Sequence, residues 1–195
     1  MRYTKEYKDL ARQRLVAAGG SHAKRHGFSD SGMAQLAAAA GVTTGSLYKH
    51  FDGKADLFAS LIAAELKRTA QMYAAVESLD NTGAAKALAS YLSLQHVKHP
   101  ELGCPLPTLT PEVTRADQSV RDAFQQGMLE IHAKVEKLTG SADAAWTLIS
   151  QNVGAVMIAR ALSDEKLQRQ LLAALRRSGE RLLNDESSVG PGRLA

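Results

Sequence analysis

The side chains best suited to chemistry crowd into one stretch, Thr43-Thr44-Gly45-Ser46-Leu47-Tyr48-Lys49-His50-Phe51. Leu47 and Phe51, spaced i,i+4, share one helical face and turn inward with Val42. Thr44, Gly45, Ser46, Tyr48, Lys49 and His50 are left on the outer and lateral faces. Small hydrogen-bonding groups beside a cation, with a glycine that admits close backbone approach, suit the edges of bases and the phosphates that flank them. Catalysis is poorly served by comparison. There is no Gly-rich phosphate loop, no nucleophile elbow and no recognisable carboxylate pair, and Glu130, His132 and Ser150 are scattered. The chain therefore reads as a non-enzyme, and no cofactor motif is present.

A second group surrounds the single cysteine, in His99-Pro100-Glu101-Leu102-Gly103-Cys104-Pro105-Leu106. A helix N-terminus or His99 beside Cys104 would depress the thiol pKa and make it a redox or electrophile sensor. His96 and His99, at i,i+3, share a helix face and with Cys104 offer a donor set for zinc or copper. The plainer reading of Cys104 is a small buried hydrophobe.

The elements that must position these residues are helical. A helix over 4–26, capped by Thr4, carries Tyr7, Leu10, Ala11, Leu15 and Ala18 at helical spacing and ends at Gly27. A short helix over 33–40 is stopped by Gly41, and Thr43 offers an N-cap hydroxyl to the next, 44–51. Helix, tight glycine turn and helix make the pattern of a DNA-reading helix-turn-helix. Asp52-Gly53 breaks it, and a long helix follows over 54–77 with Leu57, Leu61, Ile62, Leu66, Ala70 and Tyr73 on its apolar stripe. Further helices are predicted over 84–98, 117–138, 142–162 and 165–183. Pro100, Pro105, Pro107 and Pro111 make 99–116 a region of loops and short turns. The tail over 185–195 reads as frayed. No strand pattern and no internal repeat is present.

Charge follows the same division. Residues 1–54 hold nine Lys/Arg against four Asp/Glu, whereas 55–195 hold 15 against 16, so the whole basic excess lies beside the helix-turn-helix. That is the electrostatic footprint of a phosphate-binding surface. One cysteine cannot close an intramolecular disulfide, the N-terminus begins no apolar signal region, and no run approaches the roughly 20 apolar residues of a membrane span. The chain is read as soluble and cytoplasmic.

Ala39-Ala40-Gly41-Val42-Thr43-Thr44-Gly45-Ser46-Leu47-Tyr48-Lys49-His50-Phe51, followed by Lys54-Ala55-Asp56-Leu57, resembles the TetR family of repressors over about residues 10–62. Beyond that stretch the likeness is one of helix number and length. The resemblance implies an all-α fold: an N-terminal three-helix domain that binds DNA (1–53), a larger helical ligand-binding and dimerisation domain (54–184), and a flexible tail (185–195). It implies that Thr44, Gly45, Ser46 and Lys49 face base edges, with Thr43 as the cap. Tyr48 and His50 would contact phosphates or sugars, and Lys54 a phosphate. Lys49 is the candidate for a guanine contact.

The same resemblance implies a repressor that binds a palindromic operator in double-stranded DNA and is released by a small-molecule inducer. It implies a homodimer through about 142–183, with Gly154, Ala155 and Ala159 permitting close approach and Val153, Met157, Leu171, Leu172 and Leu175 supplying apolar area. Candidate ligand-lining residues are Met72, Tyr73, Leu94, Cys104, Phe124, Met128 and Trp146. The sequence departs from the family pattern at Ala34, where a basic residue is common, at Gly53, where a capping serine is common, and at His22-Ala23, where larger apolar residues are usual. Asp56 is placed to serve the first turn in place of that serine. The alternative function is a redox or metal sensor acting through Cys104 with His96 and His99.

Overall fold

The computed structural model describes residues 5–77 and 81–184, and all its regular elements are helical. They are α1 (Lys5–His26), α2 (Met33–Ala39), α3 (Thr44–Leu47), α4 (Lys54–Glu77), α5 (Asn81–Tyr91), α6 (Leu94–Lys98), α7 (Leu106–Val113), α8 (Gln118–Thr139), α9 (Ala142–Ala161) and α10 (Glu165–Asn184), with a 3-10 turn at Pro100–Leu102. Thr4 and the 185–195 tail lie outside the described residues.

Two compact units form: residues up to Arg68 with Pro100–Met128, and Thr69–His99 with the residues from Leu129 onward. The first is built on α1–α3, the start of α4, α7 and the start of α8. Its core holds Leu15, Leu36, Leu47, Phe51, Leu57, Leu61, Ile62, Leu66, Leu109 and Val120. Phe28 stacks on Phe58 with ring centres 4.1 Å apart. At Gly127 on α8 an added Cβ would lie 2.6 Å from Leu66 side-chain atoms, so α8 approaches α4 closely only because that position lacks a side chain.

The second unit packs α10 against α9 and α5, and α6 against α9. Gly179 is the close-approach point: a Cβ there would meet Leu88 at 2.8 Å and Leu148 at 3.0 Å. Arg160 closes the C-terminal end of α6, donating to the carbonyls of His96 (3.0 Å) and Val97 (3.3 Å). Cations at a helix C-terminus are favourable both as donors and as charges.

Two stretches differ from the sequence expectation. The helix predicted over 84–98 is interrupted after Tyr91, because Ser93 leaves the helical conformation and its hydroxyl accepts from the His96 amide at 3.2 Å, capping a new helix. Within 99–116 a full helix, α7, forms over the prolines. Pro105 and Pro107 occupy its start, where the missing N–H groups would have been unpaired anyway, and only Pro111 lies inside.

Candidate nucleic-acid interface

The geometry of α2 and α3 follows from local chemistry. Gln35 turns its side-chain oxygen back to accept from the Gly32 amide at 2.7 Å, fixing the start of α2. Gly41 adopts a φ of +68°, a conformation that costs most residues about 1–2 kcal/mol, and the chain turns there. Val42 N donates to the Ala37 carbonyl at 3.0 Å across the turn. Thr43 then caps α3 as its sequence position predicts, its hydroxyl accepting from the Ser46 amide at 3.3 Å. The α3 assignment ends at Leu47, but the Phe51 amide still bonds to the Leu47 carbonyl at 3.0 Å, so the turns continue to Phe51.

The two faces of this segment separate cleanly. Leu47 and Phe51 are each 1% exposed. Thr43, Gly45, Tyr48 and Lys49 are exposed, Tyr48 to 56%, and Thr44, Ser46 and His50 are half-buried. The apolar face holds the segment down, and the hydrogen-bonding face is presented outward.

Arg12 of α1, which the sequence reading overlooked, braces the far end of this segment. Its guanidinium donates to the His50 carbonyl and to Ser60 Oγ (2.7 Å), lies 3.6 Å from the Asp56 carboxylate and sits 4.3 Å from the centre of the Phe51 ring. A planar fork with five donors can serve all of these at once. Asp56 also accepts from the Asp52 amide at 3.0 Å, tying the end of the α3 segment to the first turn of α4. Lys54 donates to the Ser29 carbonyl at 2.8 Å and lies 5.2 Å above the Phe28 ring.

Two further acids anchor α1 and the α1–α2 turn. The Glu112 carboxylate accepts from the amides of Phe28 (2.9 Å) and Ser29 (2.5 Å). Glu65 of α4 accepts from Lys24 Nζ at 2.9 Å and from Arg68 at 2.9 Å, and both cations also donate to the Gly103 carbonyl. Lys24 is only 3% exposed. Burial draws its amine below the ordinary lysine range, against the opposing pull of the Glu65 hydrogen bond. Gly20 leaves room for this pair, since a Cβ there would lie 2.8 Å from Glu65 Oε1. His22, half-buried on α1, has its pKa lowered by partial burial and by His26, whose ring centre is 4.6 Å away.

The remaining sequence candidates fall as follows. Met72 is 57% exposed, and Trp146 is 42% exposed with its ring stacked 4.4 Å from His132. Tyr73, Leu94, Phe124 and Met128 are half-buried, and Cys104 is buried. These seven are divided between the two compact units: Met72, Tyr73, Leu94 and Trp146 in one, Cys104, Phe124 and Met128 in the other. On α9 and α10, Ala155, Ala159 and Leu172 are buried in their own subunit, which removes them as contacts of a twin chain. Met157 and Ile158 are exposed, and Val153, Gly154, Leu171 and Leu175 are half-buried.

The structure does not favour the metal-sensor alternative. No group of three or more His, Cys, Asp and Glu able to hold a metal ion exists among the described residues. His96 is buried, with Nδ1 on the Tyr91 carbonyl at 2.8 Å and its ring edge-on to Tyr91. No helix among the described residues is long and apolar enough to cross a membrane.

Residues 15–61 match the family model of bacterial regulatory proteins, tetR family. A comparison with curated proteins finds no match. Among solved structures, a TetR-family transcriptional regulator from Agrobacterium tumefaciens is 17% identical, with a TM-score of 0.71 over 90% of this chain and 98% of that one. Reduced NemR from E. coli is 20% identical, with a TM-score of 0.68 over 86% and 95%. FadR from Bacillus subtilis, in complex with stearoyl-CoA, is 16% identical, with a TM-score of 0.64 over 88% and 97%. At these identities the likeness to the solved structures is one of fold.

Proposed function

We propose that the chain, whose residues 15–61 match the tetR family model, is a transcriptional repressor that binds a palindromic operator as a homodimer and leaves it when a small-molecule inducer binds. The observation that carries this reading is the division of the 44–51 segment into a buried Leu47/Phe51 face and an outward face of Thr44, Gly45, Ser46, Tyr48, Lys49 and His50. Residues 1–53 read the DNA. Lys49 contacts a guanine edge, and Tyr48 and His50 contact the sugar-phosphate backbone. Lys54 contacts a phosphate: one proton of its ammonium is directed at Ser29, and two others remain for an anion.

Residues 54–184 bind the inducer and dimerise through α9 and α10, where Met157 and Ile158 offer exposed apolar surface. Two helix-turn-helix modules held at a fixed separation read two half-sites about one DNA turn apart. An inducer that binds better to the state with low operator affinity lowers DNA binding by linkage. The stearoyl-CoA bound by the B. subtilis FadR supports reading the helices beyond Lys54 as an effector-binding region.

Selection of bound fragments from a genomic DNA pool, followed by gel shift of the enriched fragment, tests the reading. A palindrome bound in the nanomolar range is the expected result. Lys49→Ala should relax preference at one base pair per half-site, by about 1–3 kcal/mol, whereas Lys54→Ala should weaken binding to all sequences alike. Absence of any enriched fragment, both before and after denaturation and refolding to strip carried ligand, overturns it.

A further inference from the structure

The helix α1 outruns the core it packs on. Leu15, Val16, Gly19 and Ala23 are buried, yet every residue from Lys5 to Leu10 is exposed. A segment so exposed gains less from tertiary contacts, which supply most helical stability in proteins.

The side chains on its core-facing stripe change character where the core ends. Counting back from Leu15 at helical spacing, the stripe runs through Arg12, Lys8 and Lys5. Arg12 already grips the His50 carbonyl and the Phe51 ring at the end of the α3 segment. At 1.5 Å per residue, Lys8 and Lys5 therefore stand about 6 and about 10 Å further along the same stripe. The stripe that carries Lys8 and Lys5 thus leads away from the end of the α3 segment, where Arg12 meets it. Among the described residues neither Lys5 nor Lys8 is held in an ion pair. Glu6 and Asp9 lie to one side of the stripe, Asp9 the nearer.

We propose that the first two turns of α1 are a second DNA-contacting segment, in which the Lys5 and Lys8 ammonium groups lie against the phosphate backbone flanking the base pairs that the α3 segment reads. This rests on the DNA-binding reading above. The contact is electrostatic and carries no sequence information. It adds affinity, fixes how the module sits on the duplex, and makes binding more sensitive to salt. Asp9, beside the stripe, works against it.

The test is a titration of the full chain with its selected operator fragment and with an unrelated duplex, at several salt concentrations between about 50 and 200 mM. Each phosphate neutralised contributes about 0.9 to the slope of log K against log salt. Lys5→Ala with Lys8→Ala removes four such contacts from a bound dimer, so it should lower that slope by about 3.6 on both duplexes and leave the preference between them unchanged. Both lysines are exposed and alanine is the best helix former, so helix content and Tm should hold, which circular dichroism checks. Asp9→Asn should tighten binding to both duplexes. A slope within 0.5 of the unsubstituted chain's overturns the inference while leaving the DNA-binding reading in place. Failure of the unsubstituted chain to bind either duplex overturns both.

Discussion

Replacing Lys24 by methionine tests whether the pair it forms with Glu65 holds α1 against α4. Lys24 Nζ is 2.9 Å from Glu65 Oε2 and 3.1 Å from the Gly103 carbonyl, and 3% of the residue is exposed. Breaking a buried pair by removing one partner costs about 3–5 kcal/mol, because the other charge stays behind uncompensated. Here Arg68 still donates to Glu65 at 2.9 Å, so the loss should sit at the lower end, near 3 kcal/mol. Replacing both partners, in Lys24→Met with Glu65→Met, removes the stranded charge and should return stability to within about 1 kcal/mol of the unsubstituted chain.

Urea unfolding of the three variants, followed by far-UV circular dichroism, gives the coupling as the difference between the double substitution and the sum of the singles. Additive losses, or a Lys24→Met loss under 1 kcal/mol, would refute the argument. The pH dependence has a determined sign as well. The folded amine titrates below its unfolded counterpart, so between the two values the unfolded chain binds more protons. Lys24 therefore makes stability rise with pH through that window, and the Lys24→Met variant should lose that rise.

Four further outcomes follow from the same geometry. His22 has a folded pKa below its unfolded value, so its contribution to stability is present above the ordinary histidine range and is lost as pH falls toward the folded value; His22→Gln should flatten urea-midpoint curves in that window. Glu112→Gln removes the charge from the acceptor of the Phe28 and Ser29 amides; it should cost about 1–2 kcal/mol and speed hydrogen exchange at those two amides more than at Leu36. Gly127→Ala, which drives a Cβ into Leu66, should destabilise by about 1–3 kcal/mol despite improved helix propensity. Gly154→Ala meets nothing within 4 Å in its own chain and should stabilise a monomer by about 1 kcal/mol; weakened self-association in sedimentation would place Gly154 against a twin helix.

The parts of the fold that were legible in the sequence are those decided by neighbouring residues. Gly41 turns the chain because it alone tolerates the positive φ found there, and Thr43 caps α3 because its hydroxyl needs only an amide three residues on. Signals of that range survive in a single sequence. Ser93 was equally local and equally visible, yet Leu88 and Leu92 at i,i+4 lead up to it and no glycine or proline marks the break, so the cap was hidden inside a longer predicted helix. The prolines misled in the opposite direction: a proline bars helix only past the first turn, and two of those in α7 stand at its beginning.

What could not be read is what distant residues do for one another. Lys24 and Glu65 each look like surface residues, and each becomes buried only because the other, 41 positions away, supplies the counter-charge. Arg12 is similar, since its role depends on meeting His50, Phe51, Asp56 and Ser60 together. Ala155 and Ala159 show the limit for interfaces: small residues at helical spacing suit a close crossing with a neighbouring helix of the same chain as well as one with a twin, and the structure assigns both to their own core. The two faces of the segment that carries Lys49 escaped this limit for a physical reason. Leu47 and Phe51 at i,i+4 are the residues it can bury, so the exposure of Tyr48 and Lys49 between them follows from spacing within one segment.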